Sequence, residues 1–120
     1  MEEFDDVLGR VRDVSGIINA SIVGVPTGQI LGSFPEADSS TTIVASAASD
    51  MVRVVSVMTM LLAREEHLED VVVTLSGTYH LVLPLPVGEG AVLLVSLDRE
   101  RTNLALARRQ LRDVEAGLVA

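Results

Sequence analysis

Few side chains in this chain are of a kind that makes or breaks bonds, and those few stand apart. The two histidines, His67 and His80, lie in different segments and share no metal-ligand spacing. His67 falls within the charged run Arg64-Glu65-Glu66-His67-Leu68-Glu69-Asp70, and His80 shares a strand face with Val82 as a packed sheet residue. Neither is expected to be catalytic, and a zinc site would need three or four ligands. The chain contains no cysteine, which removes thiolate nucleophiles, disulfides and Cys-based zinc sites together. All nine basic residues are Arg, so the lysine of a GxxxxGK[ST] phosphate loop is missing. Gly88-Glu89-Gly90 is flanked by strands rather than by the helix N-terminus that phosphate binding requires, and no Gly-x-Ser-x-Gly elbow occurs. Two features remain. The carboxylates Glu65, Glu66, Glu69 and Asp70 suit a divalent cation or a basic partner, although a solvated loop accounts for them. Arg53 is a cation that can lend charge in trans to a phosphoryl transfer, although its spacing from Asp50 favours a simple (i, i+3) pair. A non-enzymatic chain without metal or cofactor is the expectation.

Composition narrows the remaining classes. At 120 residues the chain is expected to form one domain, 1–120, since domains cluster near ~100–150 residues. With 48% hydrophobic residues a real core is available and disorder is disfavoured. Only Phe4, Phe34 and Tyr79 are aromatic, so Val, Leu, Ile, Ala and Met must build that core. A net charge of −8 argues against nucleic acid, whose phosphates call for a basic stripe. The N-terminus MEEFDD is the reverse of a basic signal-peptide region. No run reaches the ~20 apolar residues of a membrane span. A cytoplasmic protein without membrane insertion is expected.

The elements that position these residues follow from periodicity. Phe4, Val7, Leu8, Val11 and Val14 recur at helical steps, predicting a helix over Glu2–Asp13 that ends at Ser15-Gly16. Strands are predicted at Ile17–Val25 and Gln29–Phe34, joined by Pro26-Thr27-Gly28 as a hairpin. A long helix follows, N-capped within Ser39–Thr42 and ending between Arg64 and Leu68. Three strands come next, at Asp70–Leu75, Thr78–Val87 and Ala91–Leu97, linked by Ser76-Gly77 and Gly88-Glu89-Gly90. Asp98 is expected to cap a last helix from Arg99 to Leu118, with Leu104, Ala107, Leu111, Val114 and Leu118 as its apolar stripe. The order is αββαβββα, an α+β domain on a five-stranded antiparallel sheet. Pro84 and Pro86 lack ladder donors. If Val87 and Ala91 close the last hairpin, odd positions bond to the final strand and the prolines point past the end of Val71–Leu75. That places Thr78–Val87 between the other two strands and Val71–Leu75 at an edge.

The central helix is apolar on too much of its circumference. Between Thr41 and Ala63 its only charges are Asp50 and Arg53. On a wheel, Ile43, Val44, Ala47, Ala48, Met51, Val54, Val55, Met58, Leu61 and Leu62 fill a broad arc expected to pack on the sheet. Ala45, Ser46, Ser49, Asp50, Val52, Arg53, Ser56, Val57, Thr59, Met60 and Ala63 are then left outside. An outward face this small and weakly polar suggests an interface. The edge Val71-Val72-Val73-Thr74-Leu75 likewise carries no Lys, Pro or Gly to discourage pairing. One two-fold partner could cover both, so a homodimer is expected.

On these features the chain resembles the Roadblock family, the dynein light-chain and bacterial GTPase-regulator type. The likeness rests on the element order, on Val14-Ser15-Gly16-Ile17 leading into the hairpin IVGVPTGQIL, on the Ala/Ser/Met/Val-rich helix, and on Asn103-Leu104-Ala105-Leu106-Ala107-Arg108 after the last strand. Thr27-Gly28 stands where an Asp-Gly pair is more usual, and Ala105 where Gly is. The resemblance implies a Roadblock/profilin-like homodimer in which central helices lie side by side and edge strands join two sheets. It also implies a small Ras-like GTPase as partner. The implied dimer seam comprises Ala45, Ser49, Val52, Ser56, Thr59, Met60 and Ala63 with Val71, Val72, Val73, Thr74 and Leu75. The implied partner-binding residues are Ser46, Asp50, Arg53 and Val57. An assembly or motor-complex adaptor is the alternative reading. A PAS- or profilin-like small-molecule sensor is weaker, for want of aromatic or convergent polar residues to line a pocket.

Overall fold

The computed structural model describes residues 2–63, 65–86 and 90–118. Helix α1 (Glu2–Val11) is followed by strands β1 (Ile17–Gly24) and β2 (Gln29–Phe34) and by helix α2 (Ser39–Leu62). Strands β3 (Val71–Thr74), β4 (Thr78–Pro84) and β5 (Ala91–Asp98) come next, then a 3-10 turn at Arg99–Arg101 and helix α3 (Leu104–Gly117). All pairings are antiparallel, in the order β2-β1-β5-β4-β3. The expected α+β order and five-stranded sheet are therefore present, with β4 between its neighbours and β3 at an edge.

Strand β5 is central and buried from Ala91 to Leu97, as expected of a strand covered on both faces. Its alternation divides the core. Leu93, Val95 and Leu97 face a layer formed by Val7, Leu8 and Val11 of α1 and Ala107, Leu111 and Val114 of α3. Val92 and Leu94 face the opposite way, with Val23 and Val82, against Ala45, Ala48 and Val52 of α2.

The prolines resolve as the register argument requires. Pro84 pairs with Val92, while the β3 ladder stops at the Val71–Val82 pair, so the missing N–H lies beyond its end. Leu85 donates its N–H to the Ala91 carbonyl at 2.9 Å. Ala91 thus lies opposite Leu85, two residues before the Val87 of the expected Val87–Ala91 closure, and Val87 itself lies outside the described residues. A two-residue displacement preserves parity, so odd positions still bond to β5.

Two helix starts differ from expectation. Asp38 caps α2, accepting from the Thr41 N–H while the Thr41 hydroxyl returns to the Asp38 N–H. Asp98 does accept a cap bond, from the Glu100 N–H, but it opens only the 3-10 turn. Thr102 is extended, with its hydroxyl donating to the Ser15 carbonyl. The α-helix restarts at Leu104 with Asn103 accepting from the Leu106 N–H at 3.1 Å. Gly16, at φ 83°, lies so close to Thr102 Oγ1 that a Cβ has no room there, which ties this break to the end of α1.

The largest correction concerns α2. Ala45, Ser49 and Val52, expected outside, are buried on the sheet, whereas Ile43, Val44, Val54, Met58, Leu61 and Leu62, expected inside, are exposed. Small side chains let the helix axis come close to the sheet, and only the Ala45–Ala48–Ser49–Val52 flank is small throughout. By length and composition α2 also meets the requirement for crossing a membrane, with mean hydropathy 1.4 over an 18-residue window that is 22% buried in the fold.

Candidate interaction surface

The helix is anchored to the sheet by polar contacts as well as by its small flank. The Ser49 hydroxyl, buried between α2 and the sheet, donates to the carbonyl of Val25 just past the end of β1. Arg53 reaches the same carbonyl at 3.4 Å and forms a salt bridge to Asp50. Those two charges therefore hold one another at the surface beside the β1–β2 turn. Gly28 of that turn, at φ 70°, packs directly on Ser46.

The bulky arc stands outward. Ile43 is 71% exposed, Leu61 81% and Leu62 76%, and Val44, Val54 and Met58 are each more than half exposed. Water contact on this many large side chains along one helix is the signature of a surface meant to be covered. Beside the arc, α2 and the sheet enclose an apolar groove of about 190 Å³, lined by Val44, Ala47, Ala48, Met51, Val73, His80, Val82 and Leu94. The imidazole of His80 is half-buried there, one ring nitrogen 2.8 Å from the Thr78 hydroxyl and the other 2.9 Å from that of Ser96. Both nitrogens are occupied by hydroxyls, which fixes the ring as part of the groove floor.

At the rim of the groove runs β3, paired to β4 on one side only. Its first residue is preceded by Asp70, whose side chain is 7% exposed and accepts a two-point contact from Arg108 of α3, at 2.9 and 3.1 Å. Arg112 adds a bond to Glu69 at 3.1 Å. Asp70 and Glu69 are thus structural partners of α3, and with Glu65, Glu66 and His67 they line one open cleft of about 670 Å³. Among the described residues no group of three His, Asp or Glu side chains is placed to hold a metal ion. On α3, burial first and the neighbouring Glu69 second push the Glu115 carboxyl above its ordinary value. At the opposite end, the N–H and hydroxyl of Thr41 hold Asp38 below it.

These elements, in this order, have counterparts of known structure. A Roadblock/LC7 domain from Streptomyces avermitilis superposes with a TM-score of 0.77 at 20% identity, covering 92% of this chain and 88% of that one. Myxococcus xanthus MglB gives a TM-score of 0.80 at 18% identity, covering 98% and 92%. An MglB described with a tetrameric arrangement gives 0.68 at 16% identity, covering 97% and 90%. The fold is that of the Roadblock/LC7 domain. By sequence, no family model and no curated protein matches.

On this Roadblock fold the site residues expected from the sequence fall into three groups. Ala45, Ser49 and Val52 belong to the sheet contact and are withdrawn from any interface. Ser46, Asp50, Arg53 and Val57 are exposed on the flank of α2 away from the groove. Ser56, Thr59 and Met60 face Glu66, His67 and Leu68 across a small cleft, with Ala63 half-buried beyond them. The β3 residues Val71, Val72 and Val73 are half-buried, and Thr74 and Leu75 exposed. What the sequence reading missed is the bulky arc itself, which it assigned to the core. The available signal was side-chain size: on the wheel the small residues cluster on one flank and the large ones on the other.

Proposed function

We propose that this chain is a homodimeric, non-enzymatic member of the Roadblock family that binds a small Ras-like GTPase and modulates its nucleotide cycle in the cytoplasm. The observation that carries the reading is the open apolar arc of α2 running beside the unpaired β3 edge. A single second copy, related by a two-fold, covers both at once. The seam then comprises Val44, Ala47, Met51, Val54, Met58, Leu61 and Leu62 with Val71–Leu75, and Ser56, Thr59, Met60 and Ala63 stand at its lower rim. Covering Leu61 and Leu62 alone removes two nearly naked leucines from water, each worth about 1.5–3 kcal/mol on full burial.

Likeness of fold to an MglB described with a tetrameric arrangement supports self-association. The same need for cover explains the membrane-like composition of α2: its small flank is committed to the sheet and Asp50–Arg53 sits at mid-helix. With the arc occupied, Ser46, Asp50, Arg53 and Val57 remain available on the other flank, and we assign the GTPase contact to them. The Roadblock resemblance supports a Ras-like partner for that flank. The test is capture of small Ras-like GTPases, loaded with GDP or with a non-hydrolysable GTP analogue, on the immobilised chain. Retention in one nucleotide state, weakened by Arg53→Ala with folding intact, is the expected result. Equal retention in both states would favour the adaptor alternative, and no retention in either would remove the regulatory reading.

A further inference from the structure

Between α2 and β3 the described residues 65–70 belong to no helix or strand. Glu66 donates its N–H to the Ala63 carbonyl at 3.1 Å, and at the far end Asp70 is held by Arg108. His67 and Leu68, in the middle, stand between two clefts. One, of about 230 Å³, opens toward α3 and is lined by His67, Leu68, Glu69, Arg112, Glu115 and Ala116. The other, of about 170 Å³, opens toward α2, where Ser56, Thr59 and Met60 face Glu66, His67 and Leu68. The segment therefore has room to move on both sides.

Charge decides between the two sides. Helix α3 carries Arg108, Arg112 and Glu115 at steps of four and three, which stack them on one stripe. Arg108 binds Asp70 at two points, and Arg112 binds Glu69 at 3.1 Å with Asp70 3.7 Å away. Glu115 has no ion pair among the described residues. Two guanidiniums thus face three carboxylates, and Glu115 is the surplus one. Burial first, and Glu69 second, make its carboxyl hold a proton more tightly than usual. Asp70 acts in the same direction, and Arg112 and His67 oppose it. From α1, Arg10 reaches this end of α3, but it lies against Gly117 and pairs with Asp6. Gly117 is two residues from Glu115 and so on the other side of the helix. Glu65 and Glu66 line the larger cleft at the end of α2.

We propose that residues 66–69 form a proton-responsive strap, which lies against α3 when the Glu115 carboxyl is neutral and shifts toward α2 when that carboxyl is charged. With Glu115 ionised, Glu69 is bound by Arg112 but repelled by the next carboxylate on the same stripe. A proton on Glu115 ends that repulsion and leaves two balanced Arg–carboxylate pairs. Leu68 then settles against Ala116, out of water. Asp70, its side chain 7% exposed, stays with Arg108 in both positions and is the fixed end. The direction follows from linkage. The strapped position, with Glu115 buried beside Glu69, binds the proton more tightly than the released one, so acid favours it. Its advantage is full below the ordinary carboxyl value and is lost as pH rises through the higher value of the strapped state. Because His67 and Leu68 line both clefts, closing one widens the other. A strapped segment uncovers Ser56, Thr59 and Met60, and a released one covers them, so a proton bound on α3 alters a surface of α2. The device lies within one chain and does not depend on the homodimer reading above.

Methyl NMR on the full chain follows the strap, since Leu68, Ala116 and Thr59 all carry methyl groups. The Leu68–Ala116 cross-peak should strengthen relative to the Leu68–Thr59 cross-peak by at least about threefold between about pH 7.5 and about pH 5.5. That range stays above the isoelectric point near 4.5. Glu115→Gln should give the strapped ratio at both pH values, because an amide does not repel Glu69. Glu69→Gln, which removes the repulsion from the other side, should flatten the response as well. Unshifted core methyls of Leu93 and Val95 check that each variant is folded. A parent-like ratio in Glu115→Gln at the higher pH would overturn the proposal. A pH response that survives in Glu115→Gln and vanishes in His67→Gln would make the imidazole the sensor and overturn it too. A ratio in the parent chain that ignores pH would remove the strap altogether. The response should also be the same at every protein concentration; one that appears only on association would belong to an assembly and not to this segment.

Discussion

Two valines within one turn of the same helix, on opposite faces, should respond differently to the same deletion. Val52 is 6% exposed against the sheet and Val54 69% exposed on the outer arc. Truncation to Ala removes two methyl groups at either site. For Val52 that forfeits about 1.6 kcal/mol of transfer free energy, at ~0.8 per carbon, and leaves a cavity that adds roughly 1 kcal/mol. Alanine returns about 0.5 kcal/mol through its better helix propensity. The net loss is about 2 kcal/mol, equivalent to a midpoint lower by ~8 °C for a chain of this size. For Val54 less than a third of the transfer term applies, and propensity cancels it, so the single chain should change by less than about 0.5 kcal/mol. Unfolding is followed by far-ultraviolet circular dichroism, since the chain has no Trp. A concentration series then separates the two effects, because linkage to association depends on concentration and a core defect does not. Val52→Ala should lose stability equally at all concentrations. Val54→Ala should lose it only where the dimer forms, through weaker association. A larger, concentration-independent loss from Val54→Ala would mean that the bulky arc faces the sheet and that the orientation of α2 is wrong.

Arg108→Ala strands the buried Asp70 carboxylate with Arg112, 3.7 Å away, as its remaining cation, and should cost about 2–3 kcal/mol in urea unfolding. A cost below about 0.5 kcal/mol would show the pair to be ornamental to the start of β3. The raised pKa of Glu115, caused by burial and by Glu69, means that the folded chain holds that proton more tightly than the unfolded one. Stability contributed by this group therefore falls as pH rises through its folded value. Glu115→Gln should be more stable than the parent at pH 7, with the difference vanishing below about pH 4. A difference that grows on acidification would contradict the assigned direction. Asp38 titrates in the opposite sense: held low by Thr41, it stabilises above its ordinary value, and that contribution is lost as pH falls through its folded value.

Much of this architecture was legible in the chain. Strand-like runs bounded by short Pro/Gly turns placed β1, β2 and β5, helical periodicity placed the stripes of α1 and α3, and the parity of Pro84 put β4 inside and β3 at the edge. These are local rules, satisfied or violated within a few residues. The start of α3 was less legible, because Asp98 and Asn103 are both competent caps. The choice fell to Gly16 and Thr102, contacts more than eighty positions apart in the chain. The orientation of α2 lay furthest out of reach. Periodicity establishes that a helix has distinct flanks and measures how apolar each one is. It does not say which apolar flank meets the sheet and which waits for a partner, since burial against one's own sheet and burial against another chain reward the same residues. Close approach to the β1–β5 surface decided it, admitting Ala45, Ala48, Ser49 and Val52 and turning Ile43, Val54, Leu61 and Leu62 outward. Steric fit between elements distant in sequence is a property of the assembled fold.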